Sequence, residues 1–154
     1  MNPKPGFLAR RFQQIAVAVF HAEVGAAGSD LTPVQYSVLT ALRSRPSLDQ
    51  ATLAGLIAFD RTTIGGVVDR LEQRGLLTRR PHPSDRRARA LEITAEGAKL
   101  LDRIEPAVLR AQHLMLSGLD SDEAATFVRL LEKAVEGCNA LSRAPMLAGA
   151  GEAG

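Results

Sequence analysis

The chain has 154 residues, of which 45% are hydrophobic and 23% are charged, with a formal net charge of +2. This composition is that of an ordinary globular protein and excludes a disordered, collagen-like or disulfide-stapled chain. The longest apolar run, residues 15–20, is far shorter than the roughly 18–20 residues that a membrane-spanning helix needs. A single cysteine, Cys138, cannot form an internal disulfide. Together these features predict a cytoplasmic protein with no membrane partner.

Positive charge is concentrated in one segment of the chain. Residues 61–89 contain eight arginines and three acidic residues, whereas residues 1–60 are nearly balanced and residues 90–154 are acidic. A local excess of arginine is what a nucleic-acid contact surface needs. The alternative is a solvated face whose charges only keep the protein soluble.

Three helices are predicted in the first sixty residues. Apolar residues at three- and four-residue spacing predict a first helix over residues 7–24, ended by a glycine-rich turn. Thr32 followed by Pro33, an N-cap with proline at the first helical position, predicts the start of a second helix. Leucine and isoleucine within residues 47–57 predict a third helix of two to three turns.

A fourth helix is predicted from Asp60, as its N-cap, to Gly75, as its terminating glycine. Gly65 and Gly66 lie inside this helix, each at a cost of about 1 kcal/mol relative to alanine. This loss of helix propensity indicates that another surface approaches the backbone closely. The alternative is tight packing against a second helix.

The periodicity changes after Gly75, where a β-hairpin is predicted. Leu76, Leu77 and Thr78 lead into an arginine- and proline-rich tip, and residues 90–93 alternate in polarity like a short strand. Two short strands around a basic tip therefore follow the fourth helix directly.

Two further helices are predicted after the hairpin. Thr94 caps a long helix that is expected to break or bend near Pro106. A last helix is predicted from about Ser121 to about Leu141. The glycine-rich tail, residues 142–154, is expected to be mobile.

The order of helix, short helix, polar helix and basic hairpin indicates a helix-turn-helix with an accessory hairpin. The second helix of such a motif enters the DNA major groove, and a basic hairpin beside it reaches the minor groove. Threonine and arginine at the start of the helix suit base edges, and arginines further along suit phosphates. The candidate DNA-contacting residues of the fourth helix are Arg61, Thr62, Thr63, Gly66, Arg70 and Arg74.

Residues 85–94, DRRARALEIT, fit the wing signature D-x-R-x-x-x-x-x-(L/I)-T of the multiple antibiotic resistance regulator (MarR) family. The segments LTPVQYSVLTAL and VVDRLEQRGLLTRR also resemble that family, and the similarity extends over about residues 7–141 in the family's order. The resemblance implies a mainly α-helical homodimer in which each subunit has a winged helix-turn-helix with a small β-hairpin wing.

The resemblance also implies a division of the chain. Residues 1–154 form one domain, in which residues 31–93 are the DNA-binding part. Residues 7–26 and 94–141 form the helical dimerisation part. A small-molecule pocket is expected between the two parts.

Within the wing, the resemblance assigns specific residues. Arg87 corresponds to the family's arginine that enters the minor groove, where a guanidinium is attracted to the negative potential. Asp85 corresponds to the acid that orients it, and Arg86 lies beside them as a further DNA-contact candidate. The alternative for Asp85 and Arg87 is a surface salt bridge of little consequence.

A ligand-binding role is predicted for residues on the first, second and fifth helices. His21 and Tyr36 are polar groups on otherwise apolar faces, and an apolar pocket with few polar groups suits an aromatic acid. The first forty residues are similar to family members that control breakdown of aromatic or N-heteroaromatic acids such as nicotinate. The alternative is that these polar residues only complete the core or an interface. The candidate ligand-binding residues are Phe12, Phe20, His21, Tyr36, Leu39, Thr40 and His113.

Enzyme chemistry has little support in the sequence. The three histidines lie far apart, none has a partner at metal-ligand spacing, and there is no nucleophile elbow, phosphate-binding loop or dinucleotide fingerprint. We therefore expect no catalytic residues, no metal and no cofactor.

The sequence thus favours a homodimeric repressor that a small aromatic acid releases from a pseudo-palindromic double-stranded DNA operator. One alternative is a redox sensor that uses Cys138, although this cysteine lies in the last helix and a structural role is favoured. A second alternative is a small-molecule-binding protein that does not bind DNA.

Overall fold

A computed structural model describes residues 2–85 and 87–147 of the chain. The described residues form six α-helices, one antiparallel pair of strands and one 3-10 turn. The mainly helical fold with a small β-hairpin is therefore confirmed. None of the described helices has the length and apolar character that a membrane crossing requires. The elements are α1 (Pro5–Ala26), α2 (Pro33–Ser44), α3 (Gln50–Leu56), α4 (Arg61–Gln73), β1 (Leu77–Pro81), β2 (Arg89–Ile93), α5 (Ala95–Met115), α6 (Ser121–Gly137) and the 3-10 turn Asn139–Leu141.

The chain divides into two compact units. The first unit comprises the residues up to 33 and residues 103–131, which include α1, the second half of α5 and most of α6. The second unit comprises residues 34–102 together with the chain from residue 132 onward. The second unit thus contains α3, α4 and the hairpin. It differs from the predicted DNA-binding part, residues 31–93, because its first segment continues to residue 102 and its second segment begins at residue 132.

The third helix begins later than the sequence predicts. Its N-cap is Asp49, whose carboxylate accepts the Thr52 N–H at 2.7 Å, so that α3 starts at Gln50. The two preceding residues are not helical. The Leu48 carbonyl accepts the Leu91 N–H at 2.7 Å and Leu48 forms a β-bridge with that residue of β2, while Ser47 has a φ of +65°. The two-stranded hairpin is therefore extended by one bridged residue, Leu48, which the periodicity did not indicate.

Two other helix boundaries differ from the sequence prediction. Helix α1 continues through Gly25 to Ala26, because one glycine lowers helix propensity without forcing the chain to turn. Helix α5 is continuous through Pro106, so of the two predicted outcomes the break does not occur, and the bend stays a prediction. Proline removes one main-chain hydrogen bond to the preceding turn, and the rest of this 21-residue helix tolerates that loss.

The end of the chain also differs from expectation. Helix α6 ends at Gly137, and Leu141 belongs to a separate 3-10 turn. Residues 142–147, expected to belong to a mobile tail, are part of the second unit, in which Met146 bonds to the Asn139 side chain and Leu147 to the Gly55 carbonyl. Residues 148–154, the rest of the predicted tail, lie outside the described residues.

Helix α4 is held in the second unit by an apolar stripe. Its members recur at three- and four-residue spacing, and each is almost completely buried. Burial of one such side chain contributes about 1.5–3 kcal/mol, so the stripe determines which face of α4 remains exposed. The stripe consists of Ile64, Val67, Val68 and Leu71.

Thr94 joins the end of the hairpin to the start of α5. Its hydroxyl donates to the Gly75 carbonyl at 2.7 Å and accepts the Gly97 N–H at 3.1 Å. Its own N–H donates to the Leu76 carbonyl at 3.1 Å. Gly75 has a φ of +73°, the left-handed conformation expected of a glycine that ends a helix. One threonine thus caps α5 and attaches it to the turn that follows α4.

Replacing Thr94 with alanine is expected to lower the free energy of unfolding by about 1 kcal/mol, because an N-cap hydroxyl is lost. Urea denaturation followed by circular dichroism measures this change. Thr94→Ser keeps the hydroxyl and should stay close to the wild type. Equal losses in the two variants would mean that the methyl group, and not the hydroxyl, is what matters.

Candidate nucleic-acid interface

The exposed face of α4 carries most of the DNA-contacting residues predicted in this helix. Thr62, Thr63, Gly66 and Arg70 are exposed, opposite the buried stripe. Arg74 is the C-cap residue of the helix and is also exposed. For Arg61, the structure describes only its place as the first residue of the helix.

The amino end of α4 is organised by Asp60. Its carboxylate accepts both the Thr63 N–H and the Thr63 hydroxyl, each at 2.8 Å. The hydrogen bond from the Thr63 main chain is the largest of the effects that lower the pKa of Asp60, so the cap is fully ionised at neutral pH. The Thr63 hydroxyl therefore has a structural role that the sequence did not reveal, and Thr62 is the cleaner probe of base contacts.

The two interior glycines of α4 have different surroundings. A Cβ atom on Gly65 would lie 3.3 Å from the Gln50 side-chain amide of α3, which is tight packing between helices. A Cβ atom on Gly66 would meet nothing within 4 Å, and Gly66 is exposed. Helix packing therefore accounts for Gly65, whereas Gly66 leaves a stretch of bare backbone on the exposed face.

The hairpin has the register needed to present a compact tip. Leu77 pairs with Ile93 at its base and Pro81 pairs with Arg89 at its outer end. Across the tip, the His82 N–H donates to the Ala88 carbonyl at 3.0 Å. Of the predicted wing residues, Asp85 and Arg87 lie in this tip, and both are exposed.

Asp85 acts on the main chain of the wing tip. Its carboxylate accepts the Arg87 N–H at 2.9 Å, and its carbonyl accepts the Ala88 N–H at 3.2 Å. The sequence prediction was that Asp85 orients the Arg87 guanidinium. The described hydrogen bond instead shapes the turn from which the exposed Arg87 side chain projects. Arg86 lies outside the described residues.

Arg79 forms an ionic clamp between β1 and α4. Its guanidinium donates to Asp69 at 2.5 Å and to Glu72 at 3.0 Å, and the hydrogen bond to Asp69 is the main cause of its raised pKa. Its side chain is only 20% exposed, so one of the eight arginines in the basic segment serves the structure rather than the surface. The three-residue spacing of the two acids on α4 was the signal that sequence reasoning missed.

A second charged contact links the hairpin to the loop before α3. Glu92 accepts the Ser47 hydroxyl at 3.0 Å and lies 3.4 Å from Nε of Arg80. The wing is thus attached to the rest of the second unit at both of its strands, and its tip extends from a braced base.

The predicted ligand-binding residues are divided between the two units. In the first unit, the Phe12 ring packs edge-to-face on Phe127 with centroids 5.1 Å apart, and Phe20 is buried. His21 and His113 are exposed, although His21 was expected on an apolar face. The second unit contains Tyr36, Leu39 and Thr40.

Leu39 and Thr40 have contrasting environments in the second unit. Leu39 is completely buried, as a core leucine is. The Thr40 hydroxyl is buried and has no hydrogen-bond partner in the structure. An unpaired buried hydroxyl is uncommon and unfavourable, and a bound polar molecule or water would relieve it.

An open groove of about 400 Å³ lies along α5 in the first unit. It is lined by Leu109, Arg110, His113 and Leu114, of which only His113 was among the candidates. Arg110 donates to Glu23 at 3.0 Å and so connects α5 to α1. No local sequence signal marks this groove, because Leu109 and Leu114 are five residues apart, which is not the three- or four-residue spacing of one helix face.

No metal-binding cluster is found in the part of the chain that the structure describes. Cys138, expected to be a structural cysteine, is exposed, and a redox role for it stays a hypothesis.

These features are those of a winged helix-turn-helix, and the comparisons identify its family. The model of the MarR family matches residues 31–88. The chain is 35% identical over 131 residues to the HTH-type transcriptional repressor NicR of Pseudomonas putida, and the match covers 85% of this chain and 82% of NicR. The chain therefore belongs to the MarR family of transcriptional regulators, as its wing signature indicated.

Two solved structures support the same assignment. The PcaV transcriptional regulator from Streptomyces coelicolor, solved in complex with its natural ligand, is 38% identical with a TM-score of 0.78, over 86% of this chain and 92% of that chain. BpsR of Bordetella bronchiseptica, whose DNA binding is regulated by 6-hydroxynicotinic acid, is 31% identical with a TM-score of 0.81. The match covers 87% of this chain and 94% of BpsR.

Proposed function

We propose that this regulator is a homodimeric repressor that binds a pseudo-palindromic operator and releases it when a small aromatic or N-heteroaromatic acid binds. The exposed face of α4 beside a braced basic wing carries the DNA-binding part of this proposal. The ligand class is supported by the similarity to BpsR, and the dimer by apolar surface that the single chain leaves uncovered.

Helix α4 is proposed to enter the major groove with its exposed face toward the bases. Thr62 and Thr63 at its amino end suit base edges, together with Arg61, and Arg70 and Arg74 suit phosphates. The bare backbone at Gly66 allows the helix to approach the duplex closely. A second contact comes from the wing, where Arg87, with Arg86 beside it, extends into the minor groove.

Replacing Arg87 with alanine should weaken binding to operator and random DNA by similar factors, because a minor-groove guanidinium reads mainly shape and charge. Thr62→Ala should instead cost about 1–3 kcal/mol on the operator and less on random DNA. Fluorescence anisotropy titrations with both DNAs at several salt concentrations separate the two effects.

Arg103→Ala is the control for the loss of charge, because Arg103 is an exposed arginine of α5 outside the basic segment. It should bind both DNAs like the wild type. If Arg87→Ala binds as tightly as this control, the role proposed for the wing is wrong.

The dimer is proposed from the surface of α6. This helix of 17 residues has no buried residue in the single chain. Val128, Leu131 and Val135 share one face of it and are about half exposed. Phe7 and Leu8 of α1 are exposed to a similar degree. Exposed apolar surface of this kind marks an interface, and a second copy of the chain is the occupant that a palindromic operator requires.

Leu131→Asp should convert the dimer to a monomer at micromolar concentration, because a carboxylate would be buried in the interface. Sedimentation velocity measures the change. Lys133→Glu alters charge on the opposite face of α6 and should leave the dimer intact. A wild-type chain that sediments as a folded monomer at this concentration would contradict the proposed dimer.

The effector is proposed to be a carboxylic acid on an aromatic or pyridine ring. This class is supported by BpsR, whose DNA binding is regulated by 6-hydroxynicotinic acid. In this chain the candidate ligand-binding residues combine aromatic side chains and a leucine with a few polar groups. Among the polar groups, the buried Thr40 hydroxyl has no hydrogen-bond partner. The residues proposed to take part in ligand binding are Phe12, Phe20, His21 and His113 in the first unit and Tyr36, Leu39 and Thr40 in the second unit.

We expect 6-hydroxynicotinic acid to raise the melting temperature of the protein and to raise the Kd for the operator at least tenfold. The control compound is 2-hydroxypyridine, which keeps the ring but lacks the carboxylate, and it should do neither. His21→Ala should reduce the response to the acid while operator binding without ligand stays unchanged. Equal responses to the two compounds would contradict recognition of the carboxylate.

A further inference from the structure

The carboxyl end of α3 accepts a hydrogen bond from a residue far along the chain, Leu147. The last four carbonyls of a helix have no partner within the helix. In α3, the carbonyls of Leu53 and Ala54 accept N–H groups of the turn that follows. The Gly55 carbonyl instead accepts the N–H of Leu147 at 3.0 Å. Leu147 therefore satisfies an acceptor that the local sequence leaves open.

The side chain of Leu147 explains why residue 55 is a glycine. Glycine is unfavourable inside a helix relative to alanine, and Gly55 does not have a positive φ that would require it. A Cβ atom at this position would lie 2.6 Å from Cγ of Leu147 and 2.7 Å from its Cδ1. The leucine thus occupies the space directly above the Gly55 backbone.

Residues 139–147 form a folded segment, here named the C-terminal strap. The Asn139 side chain accepts the Met146 N–H and donates to the Met146 carbonyl, both at 2.9 Å. Ser142 adds two more contacts, since its N–H donates to the Asn139 carbonyl and its hydroxyl accepts the Ala144 N–H, both at 3.1 Å. These hydrogen bonds hold the residue that precedes Leu147 and so aim Leu147 at Gly55.

The position of α3 bears directly on α4. The Gln50 amide of α3 would lie 3.3 Å from a Cβ atom on Gly65 of α4, so the two helices pack closely. The turn between them contains Ala58 with a φ of +54°, a strained conformation for a residue with a side chain. Such a conformation persists where surrounding contacts hold it. The strap contacts α3 at Gly55, three residues before this strained position.

We propose that the C-terminal strap is a positioning element for DNA binding, in which Leu147 and Asn139 hold α3 and through it the exposed face of α4. This inference rests on the operator binding proposed above. The two residues are positioning residues, because the contacts described for them are with the main chain of the second unit and not with DNA.

A double-mutant cycle in the full chain tests the contact itself. Gly55→Ala alone should lower the melting temperature, because its Cβ displaces Leu147. In the Leu147→Ala background the same change should raise the melting temperature, since the obstructing atoms are gone and alanine favours the helix. Gly25→Ala, at an open helical glycine of α1, should have the same effect in both backgrounds. Equal effects of Gly55→Ala in both backgrounds would overturn the contact.

Operator titrations test the positioning role. Leu147→Ala and Asn139→Ala should each raise the operator Kd three- to tenfold at a temperature where all variants are folded. The salt dependence of binding should keep the wild-type slope, because no phosphate contact is lost, whereas Arg87→Ala should reduce it. Leu147→Met should keep most of the wild-type affinity, because it retains an apolar side chain of similar size, whereas the N–H is present in both variants.

These experiments separate a failure of the proposed operator binding from a failure of the positioning role alone. A wild-type chain that binds no operator contradicts the proposed function and the positioning role with it. Wild-type operator binding with unchanged Kd in both strap variants overturns the positioning role alone. A reduced salt slope in the strap variants would mean that the strap itself contacts DNA, and this would also overturn it.

Discussion

The buried stripe on α4 is the constraint on which the rest of this protein depends. Ile64, Val68 and Leu71 are completely buried, and together with Val67 they fix the rotation of the helix about its axis. Neighbouring residues on a helix are about 100° apart, so a slip of one position would bury threonine and expose leucine. The burial energy of the stripe makes such a slip costly, and the stripe therefore determines which face of α4 is exposed.

Charge in the basic segment is divided between structure and surface. Arg79 joins β1 to α4 through Asp69 and Glu72, so its largely buried guanidinium links two carboxylates and is not an isolated surface ion pair. Arg87 lies at the exposed tip, where its charge is available to a polyanion. A count of arginines indicates a nucleic-acid surface, but only the contacts of each arginine show which of them can serve it.

Much of the fold and of the DNA-binding site could be predicted from local signals. Asp60 caps α4 and Gly75 ends it, because both signals act within one turn of helix. The wing signature placed Asp85 in the hairpin tip for the same reason. What could not be predicted were partners distant in sequence, such as the bridge from Leu48 to β2. The fit of Leu147 to Gly55 is of the same kind.

The sequence by itself determined the order of the helices, the basic hairpin and the family, because periodicity, caps and motifs are local properties of the chain. Tertiary structure alone decided the division of the two glycines in α4, one packed on α3 and one open. It alone decided that Asp85 bonds to the main chain of Arg87, and that Arg79 is a clamp. The physical reason is that packing and hydrogen bonding depend on which distant atoms meet, and a helix pattern does not contain that information.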